Sequence, residues 1–399
     1  ILHYERRLIP FEDVYFDGRL LETKQRLKSF LLKDRLGMPL AKRLKIIENR
    51  LLDQIHPLQK KRLQRIQSIV EHSEGHALEI KSFSRLLSIK KAKGFLNQLH
   101  RYTQIDYYQL YQRLFSEPEL FHRLAKGLEL PKGIEQLISG TKESLTEGQL
   151  SFEDSAPLLY LKLRIEGSPL FSEIKQVVID EVQDYYPLHY EIFKLLFKEA
   201  RYTVLGDIQQ SVEKEINPSI YDNLTEILNK KKTLKLTLNK SYRSSSEITA
   251  FTQRLLNNGL GQDLVAFERH EAEPTVNYLE SLEQMDLAVI QAVRYYLEQG
   301  YLSIAVLCKT QQEAQAIHTR LKDSISLELF ITIEGEVDKG AMVMPIYMAK
   351  GLEFDVVLVY DASRDNYSTK FDQQLLYIAC TRAMHQLVLY YTGEKSSFL

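Results

Sequence analysis

The sequence contains no tryptophan, and only two cysteines and eleven prolines occur among its 399 residues. The cysteines, Cys308 and Cys380, sit at apolar, strand-like and helix-like positions. They offer neither metal-ligand spacing nor a disulfide framework, and free cysteines in such places pack as small buried hydrophobes. No apolar run approaches the roughly 18 residues needed to span a bilayer. The opening stretch "ILHYERRLIPFEDVYF" lacks the layout of a signal peptide, so a membrane partner is not expected and the cytoplasm is the expected location. With 44% apolar residues the chain has room for two or three cores, at roughly 100 to 200 residues per domain.

A net charge of -1 conceals an uneven distribution. Residues 1–150 hold 27 Lys and Arg against 18 Asp and Glu, a balance of +9, whereas residues 151–399 hold 25 against 35, a balance of -10. The basic part is also helical in pattern: "LLETKQRLKSFLLKDRL" and "AKRLKIIENRLLDQIHPLQKKRLQRIQSIVEH" space Leu and Ile at three- and four-residue steps. Pro57 is expected to break or kink the second of these. A basic helical face suits nucleic acid, an acidic protein surface or plain solvation. In "HRYTQIDYYQLYQRLF" the tyrosines lie near Arg101 and Arg113, as in single-strand binders. The row is broken at Gln104, and Tyr107, Tyr108 and Tyr111 fit a core face better. The polar stretch 147–157 marks a boundary, giving a basic helical domain over 1–150.

From about residue 170 the pattern alternates between short β-runs and helical segments. "KQVVID", "RYTVLGD", "TLKLTLN", "LSIAVLCK", "AMVMPIY" and "FDVVLVYDA" read as strands. "LHYEIFKLLFKE", "SSSEITAFTQRLLNN", "MDLAVIQAVRYYLEQ" and "TQQEAQAIHTRLKDS" read as helices. This is an α/β layout with a mostly parallel sheet, in which ligands collect at the carboxyl ends of strands.

The strand "VVID" runs into "DEVQD" at 180–184. A strand buried on both faces reads as Val-Val-Ile, and carboxylates at its carboxyl end face the ligand crevice. Asp180 there suits a Mg²⁺ ion and Glu181 suits an attacking water. "TVLGDIQQS" follows with Gln210 and Ser211, and an amide that donates and accepts can bridge a phosphate and a water. "LNKSYRSSSEI" places Arg243 before a Ser-rich helix start, and its planar fork suits a phosphate gaining charge. "AKGLEFDVV" and "LLYIACTRAMHQL" supply Lys350, Gly351, Glu353 and Arg382.

Taken in order, these stretches resemble the UvrD/Rep-type superfamily 1 helicases: "DEVQD" is similar to their motif II, "GDIQQS" to motif III, "SYRS" to motif IV, "AKGLEF" to motif V and "ACTRA" to motif VI. The resemblance spans roughly residues 170–399. It implies RecA-like domains that clamp ATP and move on hydrolysis, the end of the first over 151–235 and the second over 236–399. It further implies that Asp180 binds Mg²⁺, Glu181 activates water, Gln210 senses the γ-phosphate and Tyr242 stacks on adenine. Arg243 and Arg382 would reach the γ-phosphate, and Gly351 and Glu353 would line the nucleotide site, Glu353 at the ribose.

Three departures qualify the resemblance. No G-x-x-x-x-G-K-[ST] occurs, so the phosphate cradle is expected on a P-loop-bearing N-terminal half of the same protein, and this piece alone should hydrolyse almost no ATP. After "GDIQQS" the aromatic that stacks on a base is replaced by Val212, Glu213 and Lys214, and Pro345 and Tyr347 stand where motif V presents Thr and His. Base stacking is worth roughly 1 to 3 kcal/mol per base, so holding of single-stranded DNA is depleted. Finally, 107 positions separate Arg243 from Lys350, too few for a large insertion there. With the basic helical start, this is similar to the HelD group, helicase-like ATPases of Gram-positive bacteria that bind core RNA polymerase. That implies a motor whose arm is residues 1–150 and which helps free polymerase from nucleic acid. A UvrD/Rep-type DNA repair helicase and a non-catalytic binding module are the alternatives.

Overall fold

The computed structural model describes residues 9–32, 38–72, 79–168, 171–207, 210, 220–256, 265–331 and 339–399. These form two compact units, one of residues 1–179, 185–203 and 222–229, the other of 180–184, 204–221 and 230–399.

The first unit is mainly helical. A hairpin of β1 (Val14–Phe16) and β2 (Arg19–Glu22) turns through Asp17 and Gly18, both at positive φ, the backbone a two-residue primed turn requires. Helices α1 (Lys24–Leu32), α2 (Leu40–Glu71) and α3 (Ile80–Thr103) follow. Leu27, Leu31, Leu44, Leu51, Phe95 and Leu99 close a core between them and the hairpin. Of the break or kink expected at Pro57, the break does not occur, because α2 is one helix of 32 residues that includes it. Its buried positions, Leu44, Ile47, Leu51 and Ile55, follow the core stripe, whereas Pro57 is exposed. There the carbonyl freed by the missing N–H can bond to water, so the cost of the proline is not compounded by burial.

Helices α4 (Tyr107–Ser116), α5 (Pro118–Leu124), α6 (Ile134–Thr146) and α7 (Phe152–Glu166) build a second core from Tyr111, Phe115, Ile138, Leu145 and Leu158. The tyrosine cluster is thus packing, as its periodicity indicates. Tyr111 donates its hydroxyl to Asp154 Oδ1 at 2.7 Å, and Asp106 caps α4 by accepting from the N–H groups of Tyr108 and Gln109. Beyond α7 come β3 (Gln176–Ile179), α8 (Pro187–Leu196), β4 (Arg201–Val204) and α9 (Ile220–Leu228). Strands β3 and β4 pair as a two-stranded sheet. The expectation that β3 is buried on both faces is not met: Ile179 is buried but Val178 is 63% exposed. Two strands alone cover little of either face, so apolar side chains on them meet solvent.

The second unit is a three-layer α/β domain. Besides the segments 180–184 and 204–221, it contains β5 (Lys240–Ser241), α10 (Ser246–Leu255) and β6 (Val265–Ala266). Next are β7 (Thr275–Tyr278), α11 (Leu282–Glu298), β8 (Ser303–Cys308), α12 (Gln311–Leu321) and β9 (Leu327–Leu329). The last elements are β10 (Gly340–Pro345), β11 (Phe354–Val359), α13 (Lys370–Cys380) and β12 (Ala383–Tyr391). Six strands form one parallel sheet in the order β7-β12-β11-β8-β10-β9. One face packs on α10 and α13, the other on α11 and α12, which is why β8, β10 and β11 read as continuous apolar runs. Cys308 and Cys380 are both buried there. Ser245, Ser281, Thr310 and Thr369 each accept a backbone N–H at a helix start.

The strand expected over "TLKLTLN" is absent. Residues 232–239 form no strand, and Leu234, Leu236 and Leu238 are 80%, 75% and 88% exposed. A strand needs a neighbour for its ladder, and among the described residues pairing begins only at Lys240, against Val265.

Candidate active site

Strand β3 delivers the chain into the acidic turn 180–184, which closes in a 3₁₀ turn over Val182–Asp184. Glu181 has φ +50°, a left-handed conformation that costs a non-glycine residue about 1 to 3 kcal/mol. Local bonds hold it there. Its N–H donates to Asp180 Oδ1 at 2.8 Å, and its carbonyl accepts from the Asp184 N–H at 2.9 Å. Gln183 Nε2 donates to Glu181 Oε2 at 2.5 Å. Strain so supported points to a functional position.

The turn is braced against the "LGD" segment. Val182 N–H donates to Leu205 O at 3.0 Å, and Tyr221 Oη donates to Gly206 O at 2.7 Å. A Cβ on Gly206 would stand 2.4 Å from Val182 Cγ1, 2.5 Å from Gln183 Oε1 and 2.9 Å from the Val182 nitrogen. Only glycine fits so close an approach, and the obstacle includes backbone. Gly206→Ala is therefore expected to destabilise the protein by about 1 to 3 kcal/mol, read as a lower urea midpoint; an unchanged midpoint would contradict this packing.

Gln210 and Arg382 are joined. Arg382 Nη2 donates to Gln210 Oε1 at 2.5 Å, and Gln210 Nε2 donates to Asp207 Oδ2 at 2.9 Å, so the amide bridges as its chemistry allows. Arg382 is 1% exposed. Its Nε donates to Ile378 O at 3.2 Å and its Nη1 to Leu352 O at 3.4 Å. Burial first, then the neighbouring Arg243 cation, pushes its pKa down to about 10, while Glu181, Glu353 and Tyr377 act in the other direction. The guanidinium stays charged at neutral pH.

Arg243 and Glu353 face each other, with Arg243 Nε donating to Glu353 Oε1 at 2.6 Å. Their side chains are 34% and 43% exposed, and a pair so placed is worth roughly 0 to 1 kcal/mol, so a phosphate could displace the carboxylate. The loop carrying Arg243 is fixed by Arg269 Nη2, which donates to Arg243 O and Met384 O, and by Ser244 Oγ, which donates to Ala383 O. Tyr242 is 65% exposed; it leans on Phe267 at a centroid distance of 5.4 Å, and Lys240 Nζ lies over its ring at 5.4 Å. Gly351, at φ +82°, turns the chain between Lys350 and Glu353.

Lys350 and Asp184, like Gln183, Gly206 and Asp207, carry no assigned role in the sequence motifs. Lys350 Nζ donates to Oδ1 and Oδ2 of Asp184, each at 2.7 Å, and lies 3.8 Å from Glu181 Oε2. The signal was present in the second acid of "DEVQD" and the lysine of "AKGLEF", but pairing across 166 positions is invisible to spacing. Tyr347, in the place of the motif V His, is 43% exposed. Ser211 and the stretch Val212–Lys214 lie outside the described residues.

Fit to a metal and nucleotide can be judged from these donors. No group of three or more His, Cys, Asp or Glu that could hold a metal occurs among the described residues. Mg²⁺ is commonly held by one or two carboxylates plus substrate phosphates, and Asp180, exposed at the strand end, suits that mode. For a triphosphate the accessible cation is Arg243; Arg382, 1% exposed and bonded to Ile378, Leu352, Thr381 and Gln210, can act there only through its charge, and the glycine-rich cradle is not in this sequence.

In the second unit the acids, the amide and the arginines gather beside a parallel sheet covered on both faces, with Glu353 and Arg382 immediately before β11 and β12, at the amino ends of those strands. Residues 16–213 match the model of the UvrD/REP helicase N-terminal domain, and residues 340–390 match that of the UvrD-like helicase C-terminal domain. Matched in that order along one chain, the two make this protein similar to the UvrD-like helicases over residues 16–213 and 340–390. The basic helical residues lie largely inside the first match. The crystal structure of the C-terminal domain of a possible DNA helicase from Lactobacillus plantarum WCFS1 is 33% identical, covering 40% of this chain and 91% of that one, with a TM-score of 0.35. No curated protein matches the chain. The family's domains are RecA-like α/β, and its members in general hydrolyse ATP with Mg²⁺ and interact with nucleic acid.

Proposed function

We propose that this chain carries the motif II to motif VI part of an ATP-driven motor of the HelD type, which binds core RNA polymerase and promotes its release from nucleic acid. The observation that supports an ATPase is the joining, within one unit, of Glu181, Gln210, Arg243, Glu353 and Arg382 through direct bonds or a shared electrostatic field. The phosphate cradle would come from a segment outside this sequence.

In this reading Mg²⁺ and ATP, when bound, supply charge neutralisation and the phosphoryl group. Asp180 holds the ion. Glu181, positioned by Gln183, accepts the proton of the attacking water. Gln210 orients that water, Arg382 and Arg243 stabilise the negative charge that grows on the transferring group, Tyr242 offers its exposed ring to the adenine, and Glu353 and Gly351 line the ribose side.

Support for polymerase over a DNA track is the basic helical residues 1–150, the short motif IV to V interval and the substitutions at Val212, Pro345 and Tyr347. The full-length protein should co-elute with core RNA polymerase, and deletion of residues 1–150 should weaken the complex. Retention of full binding by the deletion would remove the arm assignment. The family match alone supports a UvrD/Rep-type DNA helicase equally, and that reading predicts DNA-stimulated ATPase with unwinding of a tailed duplex.

A further inference from the structure

We propose that Lys350 is the positioning residue for Glu181, acting by pinning Asp184; the inference rests on the ATPase reading above. Three carboxylates, Asp180, Glu181 and Asp184, fall within five positions of one turn, and their mutual repulsion favours splaying. Besides the Arg382 guanidinium, whose charge Glu181 feels, one ammonium is placed against it. Lys350 Nζ sits 2.7 Å from both Asp184 carboxylate oxygens and 3.8 Å from Glu181 Oε2. The lysine side chain is only 10% exposed, while Asp184 is 41% and Glu181 35% exposed, so the cation is the sheltered partner.

The connection to Glu181 runs through covalent and hydrogen-bonded steps. Asp184 donates its N–H to Glu181 O at 2.9 Å, so fixing Asp184 fixes the far end of the turn that keeps Glu181 at φ +50°. Lys350 itself is set by its own turn, at the end of the 3₁₀ segment Ile346–Ala349, where Ile346 and Ala349 are fully buried. A compact ammonium can stand between two carboxylates at once, whereas a guanidinium would demand a planar, two-pronged approach. A catalytic carboxylate displaced by about 1 Å can lose on the order of 100-fold in rate, which sets the scale for the loss of this pin.

The test uses the full-length protein with Lys350→Met, Lys350→Arg, Asp184→Asn and the Lys350→Met/Asp184→Asn double variant. ATP turnover should fall by about 10- to 100-fold in Lys350→Met, with KM for ATP and the affinity for a fluorescent ATP analogue nearly unchanged. Asp184→Asn should lower turnover similarly, the double variant no further, and Lys350→Arg should recover part of the loss. Without nucleotide, urea midpoints of the four combinations should show coupling between the two positions. A rise in KM at unchanged kcat would make Lys350 a nucleotide contact and overturn the inference, as would strictly additive effects in both measurements. A wild-type protein without ATP turnover would remove the ATPase reading and this inference with it. Wild-type turnover that Lys350→Met leaves intact would overturn the inference alone.

Discussion

Glu181→Gln in the full-length protein is expected to cut ATP turnover by about 10²- to 10⁴-fold, the usual contribution of a positioned general base, while leaving nucleotide affinity nearly unchanged. The amide is isosteric and can still face Gln183 and Lys350, so the turn need not rearrange. What is lost is the ability to take a proton from water. The structural reason to place the base here is the combination of strained backbone and local support. Glu181 sits at φ +50°, and its carboxylate has a named donor at 2.5 Å in Gln183. Asp180, next along the chain, differs: it is exposed and spends one oxygen on the Glu181 N–H, which suits an ion holder rather than a base. Turnover of Glu181→Gln within a few-fold of wild type would remove the assignment.

Arg382→Met should lower turnover still more, by roughly 10³- to 10⁵-fold, the scale of an arginine that stabilises the transferring phosphate. Unlike Arg243, which is paired with a half-exposed carboxylate and can change partner at little cost, Arg382 is locked. It is 1% exposed and donates to Ile378 O, Leu352 O, Thr381 Oγ1 and Gln210 Oε1. Its removal strands several acceptors in a buried site, and hydrogen bonds to a charged group are worth about 1.5 to 3 kcal/mol each, so a lower urea midpoint should accompany the kinetic defect. Arg382→Lys separates the two effects: the charge returns but the planar fork does not. Recovery of stability without recovery of turnover would identify the fork's geometry as the catalytic requirement. Full turnover in Arg382→Met would contradict its role.

Much of the second unit was legible in the sequence because its physics is local. Runs such as "SIAVLC" and "FDVVLV", short and rich in β-branched residues, suit strands covered on both faces, and Ser or Thr ahead of an amphipathic stretch marks a helix start, as at Ser245 and Thr310. Three features were not legible. "TLKLTLN" has a strand's alternation, yet its leucines are exposed, since the pattern states what a segment can do and not whether a neighbour is there. Val178 looked buried from its apolar company and is not, for the same reason. Pro57 sits inside an unbroken helix because it falls on the solvent side, and residue type alone does not reveal which side that is.

The site shows the same division. The acid pair at the strand end, Gln210 and the arginines are recognisable by residue type and order. The ties that give them geometry are not: Lys350 to Asp184 and Arg382 to Gln210 span 166 and 172 positions, and the tight seat of Gly206 on Val182 depends on how two turns meet. Such contacts come from tertiary packing, which no spacing rule encodes.

The most direct measurement is ATP turnover by the full-length protein, with and without core RNA polymerase and with and without single-stranded DNA. The account predicts turnover that persists without DNA, together with a stable polymerase complex. Turnover only in the presence of single-stranded DNA, with no polymerase complex, would contradict it and make the protein a DNA-tracking helicase.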